Sequence, residues 1–341
     1  MKKIITSIKR ITILVSLLTI TLSAQAQDYH LAQYDAAPLY LNPALTGWSS
    51  DLIGDYRISS NFRSQWKSLG MKSFKTFYGG YDMPFEYDKR RYGVGAYVIN
   101  HRGGIAGFNT FNLMLTGAYD ITTQSVKNPH ILKAGVQLGL INKSYIQSSY
   151  TYGSQYDNTA GDIDPTIVSG EEFQKNNKLN FDAGLGIYYK YSDENVKYHP
   201  AAGLALHHIT MPNESFTSQK SKLPIRYVFH TDCKFDIDEK WTVTPKILYM
   251  NQRKAHEFNI GAQGGYKISE EMGVTLGMYY RFKDAFVADI GFRFSNNILR
   301  FGYDFNTSYL RTFTGGKGGF EISLILVGEK GKPLVPIKSL F

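Results

Sequence analysis

From Leu52 onward the chain repeatedly alternates apolar and polar residues over segments of about ten positions, the period at which successive side chains point to opposite faces of a β-strand. In the first segment Leu52, Gly54, Tyr56, Ile58 and Phe62 share one face, while Asp55, Arg57, Ser59, Asn61 and Arg63 share the other. Leu132, Ala134, Val136, Leu138 and Leu140 oppose Lys133, Gly135 and Gln137 in the same manner. Near the end Phe286, Ala288, Ile290, Phe292 and Phe294 oppose Asp289, Arg293 and Ser295, and Leu299, Phe301, Tyr303 and Phe305 oppose Arg300, Asp304 and Asn306. Such a chain is all-β, with about fourteen strands expected near 52–63, 73–83, 91–100, 108–120, 131–142, 179–191, 197–209, 223–236, 241–251, 257–268, 273–283, 285–295, 298–307 and 319–328.

Alternation alone fits a soluble sandwich as well as a membrane barrel, because both bury one face of each strand. Three features favour an antiparallel transmembrane β-barrel. The segments exceed the five or six residues usual for strands, and their polar faces carry both signs of charge. With Cys233 as its only cysteine, the chain has no intramolecular disulfide to brace an exported sandwich. The 25 Tyr, 21 Phe and 3 Trp suit aromatic girdles, and the 32 Gly suit tight turns.

An even strand count places both termini in the periplasm, with short periplasmic turns and longer outer loops. The long connections at 143–178, 210–222 and 308–318 follow odd-numbered segments, and Ser269-Glu270-Glu271 and Ser295-Asn296-Asn297 are tight turns after even-numbered ones. Eight strands leave room only for side chains and sixteen or more leave a channel, so about fourteen should leave a lumen to be filled. The candidates to plug it are the N-terminal lead, residues 27–51, and the long third outer loop. Residues 329–341 form a tail whose Pro333 and Pro336 do not continue a strand.

The first 26 residues read as a signal peptide: Lys2, Lys3, Lys9 and Arg10 precede an apolar run from Ile11 to Leu22 and an Ala24-Gln25-Ala26 cleavage site. That run is about a dozen residues, short of the roughly 20 a spanning helix needs. Cleavage before Gln27 removes four basic residues and no acidic one, taking the formal charge from +9 to +5. The remaining charges are dispersed, so nucleic acid is not an expected partner, and with Gln27 rather than a Cys directly after Ala26, lipidation there is not expected.

The mature N-terminus, LAQYDAAPLYLNPALTG, resembles the opening of the PorP/SprF family of type IX secretion outer-membrane proteins of the Bacteroidota, through Gln33, Tyr34, Pro38, Asn42, Pro43, Ala44 and Gly47. Arg63, Gln65 and Trp66 resemble the family's Arg-x-Gln-Trp, Gly203 to His208 with Pro212 its Gly-x-x-x-x-His element, and GYDFNTSYL with GGFEISL its closing strands. Phe320 departs from the pattern, since members often carry His before this Glu-Ile-Ser-Leu run. The resemblance implies a non-enzymatic barrel in outer-membrane lipid that works with type IX secretion components. It further implies surface adhesin-like cargo, gliding motility and a periplasmic peptidoglycan-binding lipoprotein as partner. The other reading is a long-chain fatty-acid transporter, which also carries a lumen-plugging lead and Asn-Pro-Ala; it would require an apolar pocket or lateral opening.

Asn42-Pro43 favours a turn, read either as a plug hinge or partner-docking turn or as an ordinary turn into the first strand. Asn42, Pro43, Arg63, Gln65, Trp66 and Glu321 are the candidate plug or partner residues. Asp55, Arg57, Arg226, Glu257, Asp289 and Arg293 are the expected lumen charges, with Arg57 and Arg63 pairing to acids such as Asp289 or Glu257. Trp66 suits an aromatic girdle. Adjacent His207 and His208 are expected on opposite faces of a strand, which precludes shared metal binding. The Gly-rich pieces do not open helices, and the acids from Asp157 to Asp164 lack calcium-loop spacing. No catalytic set, metal or cofactor is therefore expected.

Overall fold

The computed structural model describes residues 28–47, 54–67, 73–104, 107–122, 128–146, 151–170, 176–193, 195–218 and 220–330. The signal peptide, most of the C-terminal tail and the end of the lead lie outside the described residues.

Fourteen strands close into one antiparallel barrel. They are β1 (Tyr56–Gln65), β2 (Phe74–Tyr87), β3 (Arg90–Gly103), β4 (Phe108–Asp120), β5 (His130–Ser144), β6 (Asn177–Tyr191) and β7 (Tyr198–His207). The second half comprises β8 (Arg226–Asp236), β9 (Trp241–Gln252), β10 (Ala255–Lys267), β11 (Met272–Arg281), β12 (Ala285–Phe294), β13 (Asn297–Asn306) and β14 (Lys317–Gly328). Each strand pairs with its successor, and β14 closes on β1 from Tyr56 opposite Gly328 to Gln65 opposite Gly319. Closure leaves no unpaired sheet edge, which is what allows strands to lie in lipid.

The long connections gather at one end of the barrel: 145–176, which carries a small hairpin of Tyr156–Asp157 with Asp162–Ile163, then 208–225 and 307–316. The opposite, short-turn end holds Tyr56 and Gly328. Outward positions are apolar, with Leu115 65%, Leu138 50% and Leu276 59% exposed. Aromatic contacts ring both ends of this band: Trp66 with Phe74 and Phe258 with Phe282 at the long-loop end, Tyr92 with Tyr119 and Trp241 with Tyr266 at the other. Tyr and Trp at such belts keep an apolar body against lipid and a polar tip in the interface.

Asp55 departs from its expected lumen position. β1 starts one residue later, and Asp55 is exposed at the short-turn end, accepting a hydrogen bond from the Lys330 backbone N–H at 2.7 Å. His207 and His208 are both buried rather than split between faces, because β7 ends at His207 and a φ of +61° at His208 turns its ring inward.

Candidate functional site

Residues 28–47 run through the lumen from the long-loop end to the short-turn end. They form three short turns of helix, Tyr34–Ala36, Pro38–Leu41 and Pro43–Leu45, and Pro38 and Pro43 each open one, where a missing N–H costs nothing. Asp28 sits by His208, Gln252 and Arg226 at the long-loop end, while the Gly47 backbone N–H donates to Asp82 near the other. Asp28 and Gly328 therefore lie at opposite ends of the lumen, whereas an even strand count alone puts both ends of the chain on one side.

One side of this lead is apolar. Leu31, Ala37, Leu39 and Tyr40 pack with Tyr78, Tyr97, Ile99, Met114, Ile141 and Leu223, and Leu41 packs with Ala205, Val228 and Leu248. Fully burying a Leu contributes about 1.5–3 kcal/mol, so these contacts are the lead's pH-independent anchorage. Below them the Asn42–Leu45 turn rests on wall glycines. A Cβ at Gly135 would overlap Ala44 and Pro43, and one at Gly186 would overlap Asn42. Asn42 is fully buried; its Nδ2 donates to the Ile187 carbonyl at 2.9 Å and its Oδ1 accepts from the Ala44 N–H at 2.9 Å. Asn42 thus caps its own turn and bonds to the wall at once.

The other side of the lead is charged. The Glu321 carboxylate accepts from the backbone N–H groups of Ala32 and Gln33, both at 2.8 Å, and from Asn61 and Arg63, both at 2.7 Å. Arg63, fully buried, also bonds Asp304 at 2.6 Å, and Asp304 in turn accepts from Arg281 at 2.8 Å. Asp35 receives Arg300 at 2.7 Å and Lys246 at 2.6 Å. Burial works against the charged Asp35, but Arg300 and Lys246 outweigh it and hold the carboxyl well below the usual range. Asp28 meets His208 at 2.7 Å, whose other ring nitrogen lies 2.8 Å from Asp182. Burial lowers the His208 pKa, yet Asp28 and Asp182 prevail and raise it to about 9. Arg226 donates to the Tyr40 hydroxyl and lies 4.4 Å over its ring. His30 Nδ1 stands 3.3 Å from Glu257, and burial holds this imidazole well below the ordinary histidine range.

The candidates named from sequence are distributed unevenly. Asn42 and Pro43 lie on the lead against β5 and β6, while Arg63 and Glu321 pair on the wall, where Glu321 holds residues 32 and 33 of the lead. Gln65 and Trp66 sit apart at the long-loop end of β1, where Trp66 lies edge-on to Phe74 at 5.1 Å. Arg57 bonds Asp82 on the neighbouring strand at 2.8 Å, not Asp289 or Glu257, and Arg63 likewise finds Glu321 and Asp304 instead. Arg226 and Glu257 line the upper lumen and Arg293 a cavity of about 570 Å³ at the short-turn end, with Lys190, Lys246, Lys267 and Arg300. Asp28, Asp35, Asp82, Asp182, His208, Lys246, Arg281, Arg300 and Asp304 were not anticipated as a set. Their signal is register: Asp82 stands directly opposite Arg57, and Glu321 opposite Arg63.

The family description "Type IX secretion system membrane protein PorP/SprF" matches residues 23–326. The chain belongs to the PorP/SprF family. It is therefore an outer-membrane barrel of type IX secretion. No curated protein matches it in sequence. Among solved structures, a deletion mutant of the TodX monoaromatic hydrocarbon channel is similar at 11% identity and a TM-score of 0.48, over 85% of this chain and 92% of that one. A Pseudomonas aeruginosa FadL homologue is similar at 11% identity and a TM-score of 0.43, over 83% and 91%. A mutant Rh. blastica porin reaches a TM-score of 0.32 at 9% identity, over 79% and 98%.

Proposed function

We propose that this PorP/SprF barrel is a plugged, non-enzymatic scaffold of the secretion and gliding machinery. The lead fills the lumen as a plug. The long loops face the cell surface and hold a large adhesin-like cargo, and the short-turn end faces the periplasm and a peptidoglycan-binding lipoprotein.

The observation that supports this reading is the manner of the lead's seating: one side packs on buried apolar residues and the other ends in charge-assisted bonds to Glu321, Lys246, Arg300 and His208. A transporter of hydrophobic molecules would need an apolar chamber, and the 570 Å³ cavity, although Leu41, Leu45, Val274 and Ile298 contribute to it, is studded with lysines, arginines and carboxylates. With the lumen occupied, the loops and the short-turn end are the surfaces left for partners.

The test is affinity capture of the full chain from detergent-solubilised membranes, followed by mass spectrometry. Recovery of type IX components together with one large surface protein is expected. A clean monomer carrying only lipid would overturn the scaffold reading in favour of transport.

A further inference from the structure

On the lipid-facing side of the barrel, at the long-loop end of β2 and β3, two cations stand side by side. Lys75 and Arg102 are direct register partners. Both are exposed and both point outward, Lys75 on the side of Phe77 and Tyr81 and Arg102 on the side of Val94 and Val98. The Cβ atoms of such a pair lie about 4.5–5.5 Å apart, and like charges so placed destabilise a sheet. Nothing close in the chain offsets them. The sequence holds no Asp or Glu from Arg63 to Tyr81 or from Lys89 to Tyr119, so the long-loop halves of β1–β4 and the connections between them carry no acid. Among the described residues, neither cation has an ion pair or a hydrogen bond.

Their level on the wall is that of lipid headgroups. Register sets Ser64, Lys75, Arg102, Asn109, Ser144 and Asn177 in one outward polar row across β1–β6. The next outward row toward the middle of the wall holds Phe62, Phe77, Asn100 and Phe111. Exposed aromatic rings mark the depth at which hydrocarbon gives way to the polar interface. Asn100, set between Phe77 and Phe111, has its Oδ1 buried without a hydrogen-bond partner, an acceptor suited to a headgroup hydroxyl. Arg102 is kept at this level by the turn that follows β3: a Cβ at Gly107 would stand 3.2 Å from its Nη2 and 3.3 Å from its Nε.

We propose that Lys75 and Arg102 bind the phosphate of an anionic membrane lipid, whose acyl chains run down the wall over Phe77, Val98 and Leu113. A phosphate brings the negative charge that the paired cations lack, and the planar guanidinium engages two of its oxygens at once. The pair faces sideways from the strands and not upward into the loops, which presents it to lipid. Phe77 and Leu113, 48% and 42% exposed, continue the same outward face toward the hydrocarbon. With the long loops at the cell surface, as proposed above, the lipid belongs to the outer leaflet. The site itself stands in either orientation and whichever protein partners the barrel has.

The experiment titrates the full chain in a non-ionic detergent with dioleoyl phosphatidic acid and reads bound lipid by native mass spectrometry. Each cation near an anionic headgroup adds roughly fivefold to binding, so Lys75→Gln combined with Arg102→Gln should weaken it roughly thirtyfold. Lys254→Gln combined with Lys283→Gln removes the same charge from exposed positions at the same end and should bind as the wild type does. Dioleoylglycerol, which lacks the phosphate, should not bind, and millimolar inorganic phosphate should not displace the lipid. Undiminished binding in the Lys75 and Arg102 variant overturns the proposal and leaves the cations to a protein partner. An equal loss in the control pair reduces the effect to general surface charge, and displacement by inorganic phosphate makes the site one for a free anion; either result overturns it, as does binding of dioleoylglycerol. Should the double variant fail to fold, Arg102→Gln alone should lose about fivefold, and no loss would overturn the site.

Discussion

Glu321→Gln tests the seating of the lead at its most concentrated point. The substitution keeps the shape of the side chain but replaces one carboxylate oxygen with an NH₂ group. Glu321 Oε1 takes the Gln33 N–H and Asn61, and Oε2 takes the Ala32 N–H and Arg63. Whichever way the new amide turns, two of these four donors then face a donor. A buried donor left unsatisfied costs about 1–3 kcal/mol, so the pair costs roughly 2–6 kcal/mol. Arg63 retains Asp304 at 2.6 Å, which limits the loss on its side. The wall is insulated, since β14 remains paired along its length with β1 and β13. The cost therefore falls on the lead. Even the lower bound of about 2 kcal/mol raises the unseated population roughly 30-fold. Amide exchange of residues 28–36 should accelerate by at least that factor while β-strand amides keep their protection, and reconstituted barrels should conduct more ions than the wild type. If the segment exchanges no faster in a folded Glu321→Gln barrel, the charged side of the lead does not hold it.

Arg63→Met leaves the Glu321 carboxylate buried without its cation and should cost about 3–5 kcal/mol, read as a lower thermal midpoint in detergent. Gly135→Ala and Gly186→Ala place a methyl group against the Asn42–Leu45 turn and should weaken seating by about 1–3 kcal/mol in the same exchange assay. Gly117→Ala, whose Cβ would meet only the Gly93 carbonyl at 3.9 Å, should be silent. Seating should also depend on pH from both directions. His208 has its pKa raised from 6.5 to about 9, so its contribution is complete below 6.5 and lost as pH rises through about 9. Asp35 has its pKa depressed from 3.8, so its contribution is complete above that value and declines on acidification. Exchange of the lead, corrected for intrinsic rates, should be slowest between about pH 4 and 6.5 and should lose its alkaline limb in His208→Gln.

The wall was legible in the sequence because a strand's alternation is local: the faces of 132–140 and 299–306 follow from single residues and their neighbours two places away. What happens inside the lumen is not local. Asp289 looked like a partner for Arg57 or Arg63, yet its register neighbours are Gly277 and Gly302, and the two arginines bond acids standing opposite them on adjoining strands. Pairing of that kind depends on register, which is set by turn geometry and by how β14 closes on β1. His208 was misplaced for a different reason, since alternation assumes an extended backbone and a non-glycine residue at positive φ breaks that rule without any mark in the sequence.

The lead carries no strand period because it packs inside a tube, and in the sequence only its length and the Asn42-Pro43 turn marked it as a candidate plug. Its two sides nonetheless divide its anchorage by physical kind. Leu31, Leu39 and Tyr40 hold by apolar burial toward β2–β5, which neither protons nor salt release. The other side depends on the bonds of Glu321 to residues 32 and 33 and of Asp35 to Arg300 and Lys246. A change of pH or salt that loosens the lead therefore acts on the bonds of Asp28, Asp35 and Glu321, while the apolar contacts of Leu31, Leu39, Tyr40 and Leu41 persist.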